Sequence, residues 1–257
     1  MNRIKNLFAH KGKKRILSIY YTAGYPTLDS TLDIAEALER AGADFLEIGF
    51  PYSDPVADGP VIQHSSEVAL RNGMTLDVLF RQLSDLRKRV NIPVLLMGYV
   101  NPVLQYGVEN FCKACAAVGV DGAIIPDLPM YEYEAHYQSV FDMHGLSNIF
   151  LVTPQTSNER IRKIDGLSNG FIYLLSSSAT TGKNLAVSEN TESYFSRIRA
   201  MGLENPTVIG FGISDHDTFK HATDHADGAI VGSAFVKLLS EADYGTKISP
   251  FIQQLKG

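Results

Sequence analysis

One acidic side chain stands where a charge is out of place. In the segment Phe45-Leu-Glu-Ile-Gly-Phe50 every other residue is apolar or glycine, the pattern of a buried strand. A lone carboxylate in such a strand is costly unless it has a specific partner or task. The loop that follows, Pro51-Tyr-Ser-Asp-Pro-Val-Ala-Asp-Gly-Pro60, adds Asp54 and Asp58 and is stiffened by Pro51, Pro55 and Pro60. Glu47 and Asp58 thus form a pair of acid–base groups bracketing a restrained loop. Such a pair can give and take protons around a small reactant.

A second chemical signal lies late in the chain. Gly210-Phe-Gly-Ile-Ser-Asp215 and Val231-Gly-Ser-Ala-Phe235 both place glycine where an apolar run ends and a helix is expected to begin. Glycine lets backbone N–H groups approach an anion, and a helix N-terminus adds its dipole. The two loops together suit a phosphate. A long polar stretch, Ser176 to Asn190, has the composition of a lid. Within it Gly182 can supply a further N–H, and Lys183 reads more simply as a solvated surface charge.

Two other arrangements invite chemistry and are set aside. Cys112 and Cys115 have C-x-x-C spacing but fall in the middle of a helical pattern, away from the N-terminal position that lowers a thiol pKa, and read as buried thiols. His221 and His225 are four apart, with His216 upstream. No glutamate follows His221 in the metalloprotease manner, and Asp224 and Asp227 can satisfy the imidazoles, so no metal is expected.

These groups must be positioned by alternating short strands and amphipathic helices. Strands are expected at Ile16–Thr22, Phe45–Gly49, Val94–Met97, Gly122–Pro126, Ile149–Thr153, Phe171–Ser176, Thr207–Phe211 and Gly228–Gly232. The clearest helices are at 28–41 and 75–89. A joint recurs: Ala41-Gly-Ala-Asp-Phe-Leu46 resembles Val118-Gly-Val-Asp-Gly-Ala123 and, more weakly, His225-Ala-Asp-Gly-Ala229. Each is a helix end, an aspartate, then a strand, which implies repeated βα units. Eight units in 257 residues predict an α/β fold, a (β/α)8 TIM barrel in one domain spanning 1–257, with an extra N-terminal helix and insertions in the loops after the strands. An open doubly wound sheet is the alternative. In a barrel, Leu46, Ile48 and Phe50 face the helices, so Phe45 and Glu47 point into the lumen. Likewise Ile172 and Leu174 face outward, and Phe171 and Tyr173 inward. A phenol and a carboxylate then converge on one cavity at the strands' C-terminal ends, the face where such barrels carry their sites.

The bulk properties are ordinary for a soluble globular protein: 45% hydrophobic and 20% charged. A net charge of −5 disfavours nucleic acid or an anionic membrane as principal partner. No apolar run is long enough to span a bilayer. The first residues lack a continuous apolar core and read as an amphipathic helix with Ile4, Leu7 and Phe8 on one face; the cytoplasm is the expected location.

Assembled, these segments resemble the tryptophan synthase alpha subunit family over nearly the whole chain. The most specific stretch is Leu46-Glu-Ile-Gly-Phe-Pro-Tyr-Ser-Asp-Pro-Val-Ala-Asp-Gly-Pro-Val-Ile-Gln63. Thr22-Ala-Gly-Tyr-Pro26, Tyr99-Val-Asn-Pro102, Pro126-Asp-Leu-Pro129, Gly210-Phe-Gly-Ile213 and Gly232-Ser233 support it. The resemblance implies a lyase that cleaves indole-3-glycerol phosphate to indole and glyceraldehyde 3-phosphate in tryptophan biosynthesis. It implies no cofactor in this chain, and a pyridoxal-phosphate (PLP)-dependent beta subunit as partner in an αββα complex. Glu47 and Asp58 match the catalytic pair and Tyr173 a third active-site residue. Tyr20, Thr181, Gly182, Phe211, Gly212, Gly232 and Ser233 match substrate and phosphate positions. Pro51, Tyr52, Ser53, Asp54, Pro55, Asn101 and Asp127 are expected at the partner interface.

The chain departs from the family at Ser177-Ser-Ala-Thr-Thr-Gly182, where members usually read R-x-G-V-T-G; Thr181 and Gly182 are kept. That departure motivates an alternative, an alpha-like subunit of weak activity that mainly activates the beta subunit. A different phosphosugar barrel is a third reading, but such barrels lack the acidic proline-rich loop.

Overall fold

The repeat of strand and helix closes on itself in the computed structural model, which describes residues 3–9, 15–175, 189–210 and 212–257. Eight parallel strands form a closed barrel in sequence order, the eighth pairing with the first. They are β1 (Ile16–Thr22), β2 (Phe45–Gly49), β3 (Val94–Met97), β4 (Gly122–Ile124), β5 (Ser147–Val152), β6 (Ile172–Leu175), β7 (Thr207–Gly210) and β8 (Gly228–Val231). The first three match the sequence expectation residue for residue. β4 ends two residues early, where Ile125 and Pro126 turn into the next loop, and β5 begins two residues early at Ser147.

The helices, in chain order, begin with α1 (Arg3–Ala9), α2 (Thr31–Ala41), α3 (Pro60–Arg71), α4 (Leu76–Gln82) and α5 (Leu86–Arg89). Next come α6 (Val100–Tyr106), α7 (Val108–Val118), α8 (Met130–Glu132), α9 (Gln138–Met143) and α10 (Asn158–Leu167). The last four are α11 (Glu189–Ala200), α12 (His216–His225), α13 (Ser233–Leu239) and α14 (Tyr244–Lys256). The expected 75–89 helix is broken by a 3₁₀ turn at Leu83–Asp85. Among the described residues no helix is long and apolar enough to cross a membrane.

The recurring joint has a physical reason. Gly42 (φ 103°) and Gly119 (φ 82°) end their helices in the left-handed conformation. The aspartate two residues on then reaches sideways to the neighbouring strand. Asp44 Oδ2 accepts from the Leu17 N–H at 2.9 Å, Asp121 Oδ2 from Val94 N–H at 2.9 Å, and Asp227 Oδ2 from Thr207 N–H at 2.8 Å. Each satisfies a donor at the barrel's N-terminal rim, and those of Leu17 and Val94 would otherwise be buried without a partner. The third joint needs no left-handed residue, because Ala226 is extended at φ −137°.

Two apolar layers result. Leu46, Ile48, Phe50, Ile172 and Leu174 belong to the core between strands and helices, while Phe45, Phe171 and Tyr173 belong to the lumen. The expected facing is therefore observed. The lumen is closed from below by α1: Ile4 is buried, and the Phe8 ring packs 6.4 Å from Phe45 and 5.9 Å from Phe171. Cys112 and Cys115 are free and buried in α7, as expected.

Candidate active site

Register places the chemistry. Tyr20 on β1 is the Cα partner of Glu47 on β2, and Ser18 that of Phe45. Ile16, Ser18 and Tyr20 alternate inward, so the Ser18 hydroxyl stands beneath Tyr20 and beside the carboxyl. It donates to Glu47 Oε1 at 3.5 Å. Glu47 is fully buried, and among the described residues its Oε2 has no hydrogen-bond partner. Burial pushes the Glu47 carboxyl up from 4.5 to about 8; the Ser18 bond draws it back only in part. At neutral pH Glu47 therefore keeps its proton.

Asp58 sits in the loop after β2, half-buried. Burial raises it from 3.8 to about 6, opposed by a hydrogen bond from the Tyr99 hydroxyl to its Oδ2 at 3.2 Å. The same phenol oxygen accepts from Ala57 N–H at 3.0 Å, so Tyr99 ties the loop to the strand end of β3. Tyr20 and Tyr173 complete the constellation. Burial raises both phenols well above their ordinary range, and the charges of Asp58 and Glu47 act on both in the same direction. The two carboxyls and two phenols therefore share one electrostatic environment.

Glycine at strand ends makes room for the rings. A Cβ at Gly49 would lie 2.2 Å from Tyr20 Oη, one at Gly210 2.0 Å from Tyr173 Oη, and one at Gly98 2.2 Å from Phe50 Cε2. Each ring lies flat across the end of the neighbouring strand. Above them opens a cavity of about 630 Å³, lined by Tyr20, Asp58, Met97, Tyr99, Leu151 and Leu175 among others. Its lining is mostly apolar and aromatic, with the Asp58 carboxylate and the Arg160 guanidinium at its wall, and the apolar part suits a planar aromatic whose N–H meets Asp58.

The glycine loops differ from each other. Gly212 turns with φ 77°, but α12 starts only at His216 and its first N–H groups are already taken: Asp215 caps Thr218 N–H at 2.9 Å. The dipole expected of the Gly210–Asp215 loop is thus occupied by an internal carboxylate. Gly232 precedes α13 with no side-chain cap, leaving the N–H groups at Ser233 and beyond facing the rim. Thr181, Gly182 and Phe211, with the whole 176–188 segment and Lys183, lie outside the described residues.

The expected interface residues gather on one side of the rim. Tyr52 stacks near Tyr99, with ring centroids 5.2 Å apart. Asn101 Nδ2 donates to Tyr52 Oη at 3.4 Å, and Asp127 Oδ1 accepts from Val100 N–H at 2.8 Å. Ser53, Asp54, Asn101 and Asp127 are exposed, and Tyr52 and Pro55 partly so. Pro51 departs from the expectation: it is buried where the chain leaves β2 and offers no surface. Val56 (83% exposed) on the loop after β2, Leu104 on α6 and Tyr131 on α8 add exposed apolar area.

Sequence reasoning missed Ser18 and Tyr99 as site residues. Ser18 was legible as a polar residue at an inward position of β1; Tyr99 only as part of Tyr99-Val-Asn-Pro102. The histidine reading is also corrected. His221 and His225 approach Glu192, at 3.2 and 3.4 Å, whereas Asp224 is engaged by Lys220 and Arg15 and Asp227 by Thr207 N–H. Glu192 lies on α11, so no local spacing could reveal it.

The chain matches the family model described as tryptophan synthase alpha chain over residues 7–253. It is 54% identical over 255 residues to the tryptophan synthase alpha chain of Flavobacterium psychrophilum, covering 99% of this chain and 100% of that one. Among solved structures, tryptophan synthase of Mycobacterium tuberculosis superposes with a TM-score of 0.89 at 32% identity, over 99% of this chain and 96% of that one. A tryptophan synthase complex from Pyrococcus furiosus superposes at 0.86 and 32% identity, over 95% and 98%. The closed barrel, the inward Glu47 and this likeness along the whole length agree: the chain belongs to the tryptophan synthase alpha chain family.

Proposed function

We infer that this chain is a lyase subunit that cleaves indole-3-glycerol phosphate to indole and glyceraldehyde 3-phosphate. The observation that carries the reading is the split between two carboxyls. With Glu47 raised to about 8 and Asp58 to about 6, one is an acid and the other an anion at pH 7.

Each state has a task. An indole leaving as a C3 carbanion is very poor, so Glu47 first protonates C3 and the ring nitrogen becomes cationic. Asp58, as carboxylate, holds the ring N–H and stabilises that charge. A charge pair at 4 Å and an effective dielectric of 20 is worth roughly 4 kcal/mol. Glu47, now ionised, takes the proton of the side-chain hydroxyl. The C–C bond to the ring then breaks, the hydroxyl carbon becomes the aldehyde, and the electron pair returns to the indole. Tyr173 and Tyr20 pack the ring against Met97, Leu151 and Leu175. The phosphate goes to the opposite side of the rim, at Gly212, Gly232 and Ser233, with Thr181, Gly182 and Phe211 completing the set. These groups are side chains and backbone, so the reaction calls on no cofactor in this chain.

The partner in this reading is a PLP-dependent beta subunit in an αββα assembly. The exposed apolar residues Val56, Leu104 and Tyr131, with Tyr52, Asn101 and Asp127, support a docking face beside the mouth of the cavity. The reading as a mere activator is not favoured: the acid pair retains the burial and bonding that proton transfer needs. The test is indole release from indole-3-glycerol phosphate with the beta subunit present. Glu47→Gln and Asp58→Asn should each lose about 10²–10⁴-fold or more. Undiminished rates in either would remove that residue's role.

A further inference from the structure

Away from the active site, α11 and α12 bring together a side-chain cluster that the proposed lyase chemistry does not use. His221 and His225 are one turn apart on α12 and present their Nε2 atoms to Glu192 in the first turn of α11. The closest approaches are 3.2 Å (His221 Nε2 to Glu192 Oε1) and 3.4 Å (His225 Nε2 to Glu192 Oε2), and all three ligand atoms lie within 4.8 Å of one another. Bonds of about 2.0–2.1 Å in tetrahedral array place neighbouring ligand atoms about 3.3 Å apart. Each imidazole stands at about that distance from one oxygen of the Glu192 carboxylate, and the three groups are close enough to share one ion.

A second observation points the same way. His221 Nε2 is buried and has no hydrogen-bond partner among the described residues, although a carboxylate oxygen is 3.2 Å away. The two atoms are close without being aligned on each other, which is the relation between two ligands of a common centre. A buried imidazole nitrogen left without a partner costs free energy that coordination would recover. The imidazoles are also held in place. The His221 and His225 rings meet edge to face at 5.0 Å, and Phe195, one turn beyond Glu192 on α11, packs 5.3 Å from His225. His225 also lines an opening of about 390 Å³, so the cluster lies close to solvent. The two aspartates nearby are engaged elsewhere and do not compete.

We propose that Glu192, His221 and His225 form a binding site for a first-row transition-metal dication of the zinc type, joining the start of α11 to the end of α12. Two imidazoles and one carboxylate suit a borderline metal; magnesium and calcium require oxygen ligands throughout. Because the ligands come from two successive βα units, an ion there ties the sixth unit to the seventh and stabilises the folded chain by mass action.

The test uses the full chain freed of metal by a chelator. Co²⁺ titrated into it should give visible absorption bands of a four-coordinate N/O site at one equivalent, and Zn²⁺ should abolish them. Zn²⁺ at a hundred times its dissociation constant should raise the unfolding midpoint by at least about 5 °C, with Mg²⁺ inert. Glu192→Gln and His225→Asn should each weaken Co²⁺ binding at least tenfold. Glu192 is the most exposed of the three at 39%, so its variant keeps the fold even where a histidine variant does not. The proposal is overturned by the absence of a one-equivalent Co²⁺ spectrum or by equal affinity in Glu192→Gln. Thiolate charge-transfer absorption, which would place the ion on Cys112 and Cys115, also overturns it.

Discussion

Replacing Glu47 by glutamine should stabilise the fold at alkaline pH while it abolishes turnover. The carboxyl is fully buried, and burial raises it from 4.5 to about 8. An unfolded chain releases that proton near the ordinary value. Between the two values the unfolded state is ionised and the folded state is not, so the unfolded state binds fewer protons and stability falls as pH rises. Each unit costs about 1.4 kcal/mol. Over the interval from 4.5 to about 8 the loss reaches about 5 kcal/mol, and it levels off above. Glutamine matches the protonated acid in shape, keeps an acceptor for the Ser18 hydroxyl and cannot ionise. Wild type and Glu47→Gln should therefore be alike at pH 5 and diverge above it, with the variant several kcal/mol more stable at pH 8.5. Urea unfolding at pH 5, 6.5 and 8.5, with slopes compared as well as midpoints, measures this. A difference within about 1 kcal/mol at all three values would refute the picture of a dry, proton-holding Glu47, and with it the acid half of the mechanism.

Further outcomes follow from the same geometry. The kcat/KM of indole release should be bell-shaped in pH, rising as Asp58 ionises near 6 and falling as Glu47 loses its proton near 8. Tyr99→Phe removes the bond that draws Asp58 down, so its acid limb should move to higher pH and its rate at pH 6 should drop about tenfold; an unmoved limb would detach Tyr99 from Asp58. Gly210→Ala places a methyl 2.0 Å from Tyr173 Oη, so the ring must leave the strand end; expected are about 1–3 kcal/mol of destabilisation in urea and a raised KM. Arg87 bonds the carbonyls of Gly119, Val90 and Ile92 and pairs with the buried Asp121 at 2.7 Å. Arg87→Ala should cost about 3–5 kcal/mol in urea unfolding, with turnover at 25 °C little changed because the hub lies at the opposite end of the barrel.

The architecture was legible because its signals are local and repeated. Three strands match to the residue: β3 is an apolar run set between Pro93 and Gly98, β2 starts directly after Asp44, and β1 starts directly after the basic Lys13-Lys-Arg15. The glycine–aspartate joint announced the repeat, but not its reason: the bond to the next strand over spans tens of residues in sequence. Inward facing followed from alternation alone, which placed Phe45, Glu47, Phe171 and Tyr173 correctly. What alternation could not give was partnership across strands. Ser18 and Tyr99 act on the carboxyls through neighbours brought close only by barrel closure. For the same reason Glu192 was invisible and the histidines were assigned to the aspartates beside them in sequence. The capping of α12 by Asp215 was readable in Ser214-Asp-His-Asp-Thr218, an acidic cap three residues before a threonine.

The division of labour between the carboxyls rests on where each sits relative to the strand end. Glu47 lies within β2, held by pairing on both sides in a strand that is buried throughout. Burial acts on it almost unopposed. Asp58 lies beyond the strand, on a loop whose Ala57 N–H and Asp58 carboxylate share one phenol, and it is only half-buried. Burial there is partly compensated, so its value stops near 6. Moving the acid out of the strand would give two anions at pH 7, and moving the aspartate in would give two protonated acids. Neither pair could both protonate the ring carbon and hold the cation that results. The proline-rich loop therefore has a chemical as well as a structural role. It carries the second carboxyl just far enough out of the lumen to leave it ionised, while Tyr99 holds it at the cavity wall.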